Sequence, residues 1–238
     1  MKILSAVIIF AFVSIWSVSS AQPKHEMRMV WIATVNNIDW VPAGAVEPYR
    51  QQEAMIAMLD TFKRLNINAI VLQIRPTADA FYQSHVEPWS HFLTGKQGRA
   101  PYPYYDPLTF TIEQAHKRNI DVHVWLNPYR LLNSDNTDIL QRNSLFFSRP
   151  KMFIKYGTQY FFNPARQETL EHLGKVVADI VSRYDIDALH IDDYFYPYPI
   201  EGKEFPDAAD FRADPRGFKN RARSEEHTSE LQSLVIIS

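Results

Sequence analysis

Three neighbouring residues have the types and spacing for hydrolytic chemistry: His190, Asp192 and Asp193, at the end of the apolar run Ala188-Leu189-His190-Ile191. Alternate residues of an extended strand share a face, so Ala188, His190 and Asp192 point one way while Leu189 and Ile191 point the other. Asp192 is then the last residue of its face, at the rim where a substrate would sit. Hydrolysis of a glycosidic bond needs two carboxyl groups, one as nucleophile or base and the other as acid. Asp192 is the candidate nucleophile or base and Asp193 an assisting carboxylate. Alternation turns Asp193 to the opposite face, so the second principal carboxyl is expected on a later strand, beyond residue 222. A lone Asp pair capping a strand end would look the same. Here, however, two other apolar runs also end in large polar side chains, Gln73 with Arg75 and His123 with Asn127.

Those strand ends supply the candidate binding groups. Arg75, Asn127 and His190, with His123 beside them, are placed to orient the carboxylate and to hydrogen-bond sugar hydroxyls. Trp89, Trp125, Tyr129 and Tyr194 offer flat faces to the C–H surfaces of sugar rings, although aromatics in loops more often pack or make subunit contacts. Two-carboxylate hydrolysis needs no metal and no nucleotide cofactor. The same region allows a different chemistry, a metal-dependent hydrolase in which His123, His190, Asp192 and Asp193 form a His/carboxylate set. Its spacing matches no specific ligand motif such as H-E-x-x-H.

Composition narrows the classes further. The 238 residues contain no cysteine, which excludes disulfide scaffolds, thiolate metal sites and cysteine nucleophiles. With 25 basic against 27 acidic side chains, a formal charge of -2 and no long basic run, nucleic acid is not an expected partner. A polybasic membrane-surface face is absent for the same reason. The 46% hydrophobic content is ample for a packed core.

The elements that must position the candidate residues alternate between strand and helix. Apolar runs at 29–34, 69–74, 122–126 and 188–192 read as strands, and helical spacing occupies 49–65, 107–119 and 167–184. Asp106-Pro107 is a helix start in which a capping side chain precedes proline, and Asn163-Pro164 repeats the signal. Near-continuous apolar strands separated by helices indicate a parallel sheet covered by helices. No G-x-G-x-x-G turn follows the first strand, which argues against a dinucleotide-binding sheet. Polar residues converging at the ends of successive strands are how a (β/α)8 barrel of the TIM type builds its site. Since such a barrel takes about 250 residues, four strand–helix units within 28–222 correspond to its N-terminal half.

Both termini read differently from this middle. Residues 1–21 have a lysine, an apolar stretch and small residues Ser19 and Ala21 at a cleavage position, the pattern of a secretory signal. The stretch is shorter than the roughly 20 residues of a spanning helix, so an exported chain with no stable membrane anchor is expected, in periplasm or medium. Residues 22–27 form a linker. Residues 223–233, Arg-Ser-Glu-Glu-His-Thr-Ser-Glu-Leu-Gln-Ser, resemble the translation of a short-read sequencing adapter, so 223–238 is expected to be non-native and unpacked. Four units alone would leave sheet edges and apolar helix faces uncovered, and such a segment is expected to associate through its open seam and to be inactive.

Five longer motifs carry a family resemblance: Val30-Trp-Ile-Ala-Thr-Val-Asn-Asn-Ile-Asp-Trp40; Gln73-Ile-Arg-Pro-Thr-Ala-Asp79; Glu87-Pro-Trp-Ser90 with Thr94-Gly-Lys96; His123-Val-Trp-Leu-Asn-Pro-Tyr-Arg130; and His190-Ile-Asp-Asp-Tyr-Phe-Tyr-Pro-Tyr-Pro199. Together, over about residues 28–222, they resemble the bacterial glycosyl hydrolase-like 10 family. The resemblance implies an exported (β/α)8 glycosidase acting on bacterial cell-wall or other glycan strands. The His190-x-Asp192 pattern is also similar to the Arg-x-Asp of amylase-type barrels, whose aspartate is the nucleophile, a fold-level analogy. The rival reading is a noncatalytic carbohydrate-binding surface protein on the same barrel, and a carboxylate ending a later strand would separate the two.

Overall fold

The computed structural model of the chain describes residues 26–191, 197–213 and 236–237. Four parallel strands form the main sheet: β1 (Met29–Ile32), β2 (Ala69–Arg75), β3 (Asp121–Leu126) and β7 (Ala188–Ile191), neighbours in that order. Between them run α1 (Pro48–Arg64), α3 (Pro107–His116) and α5 (Gln167–Arg183). The fold is α/β with a parallel sheet, as the alternating pattern predicts, and among the described residues the sheet is open rather than closed into a barrel.

Local chemistry sets the element ends. Asp106 accepts a hydrogen bond from the Thr109 amide at 3.0 Å and Pro107 occupies the first helical turn, so α3 starts where the cap signal predicts. Asn163-Pro164 does not start α5. Asn163 Oδ1 accepts from the Ala165 amide in a turn, and the helix begins four residues after it, at Gln167, because the asparagine side chain satisfies the turn rather than the helix.

Strand alternation divides the sheet into two faces. Ile70, Leu72 and Ile74 of β2, Val122, Val124 and Leu126 of β3 and Leu189 of β7 pack with Met55 and Leu59 of α1, Leu108 and Ile112 of α3, and Val176 and Ile180 of α5. The opposite face carries Trp31, Val71, Gln73, Arg75, His123, Trp125, Ala188 and His190. This is the phase that the residue pattern predicts for β7.

Two features depart from the expectations. Between β3 and α5 the chain folds into a second sheet of three antiparallel strands, β4 (Arg130–Leu132), β5 (Phe153–Tyr156) and β6 (Gln159–Phe162), ordered β4-β6-β5, over a cluster of Leu131, Leu132, Leu140, Met152 and Phe162. Also, the tail expected to be unpacked contributes β8 (Ile236–Ile237), which pairs antiparallel with Ala188 and Leu189. The outer edge of β7 offers unpaired backbone groups, and an extended segment satisfies them irrespective of its origin.

Candidate functional site

At the C-terminal end of the sheet, Gln73 ties three strands together. Its Oε1 accepts from the backbone amides of Thr34 and Val35, each at 2.8 Å, and its Nε2 donates to Asn127 Oδ1. Thr34 Oγ1 returns a bond to the Gln73 carbonyl at 2.9 Å. A fully buried amide is stable here because donor and acceptor sides are both engaged. The ends of β1, β2 and β3 are thereby held in fixed relation.

Beneath this clamp lies a buried ionic network. Arg75 Nε and Nη2 meet Glu87 Oε2 and Oε1 at 2.6 and 2.7 Å, a bidentate pair. Its Nη1 donates to the carbonyls of Asn127 and Pro128, and its guanidinium lies over the Phe162 ring. His172 of α5 completes the network, with Nε2 at 2.8 Å from Glu87 Oε1. Burial alone would raise the Glu87 pKa, but the Arg75 charge and the hydrogen bonds from His172 and Arg75 hold the carboxyl down at about 2. The network couples the loop after β2, the end of β3 and α5 around one charge pair.

On the inward face, His123 Nδ1 and His190 Nε2 are 2.8 Å apart, and the rings stack at 27°. One proton bridges the two nitrogens, so one ring donates and the other accepts. Burial lowers the pKa of both rings, His190 being further lowered by His123. Trp31 stands edge-on to both Trp125 and His190, at centroid distances of 5.1 and 5.7 Å. His190 Nδ1 and Trp125 Nε1 are buried and have no hydrogen-bond partner among the described residues, and Trp125 is opposite His190 in the strand register. Two tryptophans and two imidazoles thus make one polar-edged aromatic floor.

The structure brings together some of the candidate residues and separates others. His123, His190 and Trp125 share that floor. Asn127 is buried beside it, bonded to Gln73 and Arg75. Arg75 is fully buried and hydrogen-bonds Glu87 and two carbonyls, so it braces the strand ends. Trp89 packs against the helix-side core and edge-on to Tyr104, and Tyr129 packs against the antiparallel sheet. Asp192, Asp193 and Tyr194 lie outside the described residues. Among the described residues no group of three or more His, Cys, Asp or Glu side chains is arranged to hold a metal ion.

Several organising residues carry no role in the sequence reading. Gln73 and Glu87 fall within the quoted motifs but were assigned nothing, and His172 lies in a helix whose periodicity gives no hint of a charged partner. The same holds for Asp79, which is fully buried and accepts from Thr77 Oγ1 at 2.8 Å and sits 3.2 Å from His91 Nδ1.

A family model described as glycosyl hydrolase-like 10 matches residues 26–227. The chain is 43% identical over 212 residues to glycosyl hydrolase YngK of Bacillus subtilis, covering 88% of this chain and 41% of that protein. It is 36% identical over 194 residues to glycosyl hydrolase DigH of Escherichia coli K12, covering 75% of this chain and 44% of that protein. The chain therefore spans less than half the length of these curated relatives. Among solved structures, an α-galactosidase from Lactobacillus brevis aligns with a TM-score of 0.43 at 13% identity, over 68% of this chain and 20% of that one.

Proposed function

Because the chain belongs to the glycosyl hydrolase-like 10 family, we propose that it forms the first strand–helix units of a (β/α)8 glycosidase whose site lies at the C-terminal ends of the strands. The observation that carries this reading is the inward floor of His123, His190, Trp31 and Trp125, set at the strand ends clamped by Gln73. Barrel enzymes build their chemistry at that end, from the tips of several strands. Flat indole faces suit sugar C–H surfaces.

In this proposal Asp192, two residues after His190 in the sequence, is the nucleophile or base, and Asp193 assists. The acid comes from a later strand of a longer polypeptide. The substrate is a glycan of the bacterial cell wall or another polysaccharide, reached after export through the leader at residues 1–21. The test is hydrolysis of glycan strands by a polypeptide carrying this segment at the relatives' full length. Asp192→Asn is expected to lower kcat by about a thousandfold or more while sparing glycan binding, because the substitution removes charge and keeps shape. Turnover equal to the parent would remove Asp192 from the mechanism.

A further inference from the structure

A cleft separate from the inward floor lies between the turn at 91–99, in the loop after β2, and residues 138–143, between β4 and β5; its volume is about 920 Å³. Its lining includes Lys96, Arg99 and Arg142 against a single carboxylate, Asp138. In a chain whose overall charge is -2, that local excess of positive charge is a departure. All three cations are exposed. The cleft shares Gln97, Leu140, Gln141 and Asn143 with an adjoining cavity of about 280 Å³, whose walls include Phe146, Phe153 and Phe162. A cationic cleft therefore adjoins, across a shared wall, a cavity lined in part by phenylalanines.

The cleft is built, not incidental. The Thr94 hydroxyl is shared between the carbonyls of Lys96 and Arg99, at 3.0 and 3.1 Å, and Arg99 Nη2 donates back to the Thr94 carbonyl. Gly95 and Gly98 at φ +75 and +80° let the chain turn tightly enough to bring Lys96 and Arg99 to one rim. Gln97 staples the two walls: its Oε1 accepts from the Gln141 amide at 2.8 Å and its Nε2 reaches Asp79 at 3.5 Å. His91 lines the cleft, and Asp79 occupies its Nδ1, leaving Nε2 as the ring nitrogen for a ligand.

We propose that this cleft is a subsite for an acidic sugar unit: Lys96, Arg99 and Arg142 take its carboxylate or phosphate, His91 bonds a neighbouring hydroxyl, and the ring's C–H face turns to the phenylalanine-lined cavity. The inference rests on the glycan reading above and narrows it to acidic glycans. Guanidinium and ammonium groups bind either oxyanion, so the carrier of the charge is left to the experiment.

The test measures binding to this chain, not hydrolysis. A labelled oligogalacturonate is compared with its fully methyl-esterified neutral form, and a phosphomannan fragment with its dephosphorylated form, each at low and high salt. At least one acidic probe is expected to bind more tightly than its neutral counterpart, with an advantage that salt erodes. The preferred acidic probe identifies the oxyanion. The double variant Lys96→Ala/Arg142→Ala should weaken the acidic probe about tenfold and leave the neutral one unchanged, which also reports an intact fold. Lys96→Arg/Arg142→Lys should restore binding. Equal binding of acidic and neutral forms, or an acidic preference that survives the double alanine variant, overturns the subsite while leaving the glycan reading in place. No binding of any of the four probes likewise overturns the subsite, and the hydrolysis test above judges the glycan reading on its own.

Discussion

On the helix side of the parallel sheet, Ile70, Leu72 and Ile74 of β2 and Val122 and Val124 of β3 present only aliphatic surface, each at 1% exposure or less. The intervening residues of the same strands, Gln73, Arg75, His123 and Trp125, turn polar groups and rings to the other side. The aliphatic face is held by loss of water contact, which is non-directional and tolerates exchange of one hydrocarbon for another of similar volume. The inward face is held by named partners: Gln73 with Thr34, Val35 and Asn127, Arg75 with Glu87, and His123 with His190. On such a face a buried polar group that loses its partner retains its full desolvation cost. What the contrast teaches is where precision resides. Hydrocarbon burial makes the sheet, while the paired polar groups fix the relative positions of its strand tips.

The sharpest way to break the contrast is to delete one partner of the ionic network. Glu87→Ala leaves the Arg75 guanidinium buried without its counter-charge, and loss of one member of a buried pair costs roughly 3–5 kcal/mol. Urea unfolding is expected to show that loss; a midpoint unchanged from the parent would mean that Arg75 finds water in the folded state. The same network predicts an acid limb. The folded Glu87 carboxyl is lowered to about 2 from an ordinary 4.5, so its stabilisation is complete above the ordinary value and disappears as pH falls through about 2. The loss is about 3 kcal/mol, and Glu87→Gln should abolish that part of the pH dependence.

A matched cut on the aliphatic face should act differently. Leu72 is 1% exposed among α1 and β-sheet neighbours, so Leu72→Ala removes buried methyl groups and leaves a cavity, costing about 3 kcal/mol. The distinguishing measurement begins with a volume-conserving exchange on the same face, Ile74→Leu, which should cost under about 1.5 kcal/mol. A polar exchange of comparable size on the opposite face, such as Gln73→Met, should cost more than that hydrocarbon swap, since three backbone and side-chain groups lose their partner together. Equal costs for Ile74→Leu and Gln73→Met would erase the proposed difference between the faces.

The aliphatic face was legible in the sequence, and the inward face only partly. Period-two alternation places Leu189 and Ile191 opposite His190 without knowledge of any partner, and continuous apolar runs mark β2 and β3 to within a residue or two at each end. The antiparallel sheet was missed because its strands are only three or four residues long and rich in aromatics, too short for any period to show. The bracing role of Arg75 is illegible for a different reason. A strand-end arginine reads as a ligand until its counter-charge is known, and Glu87 is separated from it by a loop with no regular spacing. Pairing of this kind is a property of tertiary approach, and His172 joins it from a helix 85 residues away in sequence from Glu87.

The mildest perturbation sharpens the inward face itself. Burial lowers the pKa of His123 and of His190, so the folded chain keeps both rings neutral at a pH where the unfolded chain takes up protons. Groups depressed in this way contribute stability that is fully present above the ordinary imidazole range and is lost as pH falls through their folded values. His190→Phe keeps a flat ring beside Trp31 but removes the shared proton and one of the two depressed groups. At high pH the variant should be less stable by about 1 kcal/mol, the net worth of one hydrogen bond. At mildly acidic pH the gap should shrink, because the parent is then penalised for a neutral ring that the variant lacks. Thermal unfolding of both proteins across that range decides the matter: a gap independent of pH would mean that these imidazoles titrate as they do in the unfolded chain, and that the floor of the site is wet rather than buried.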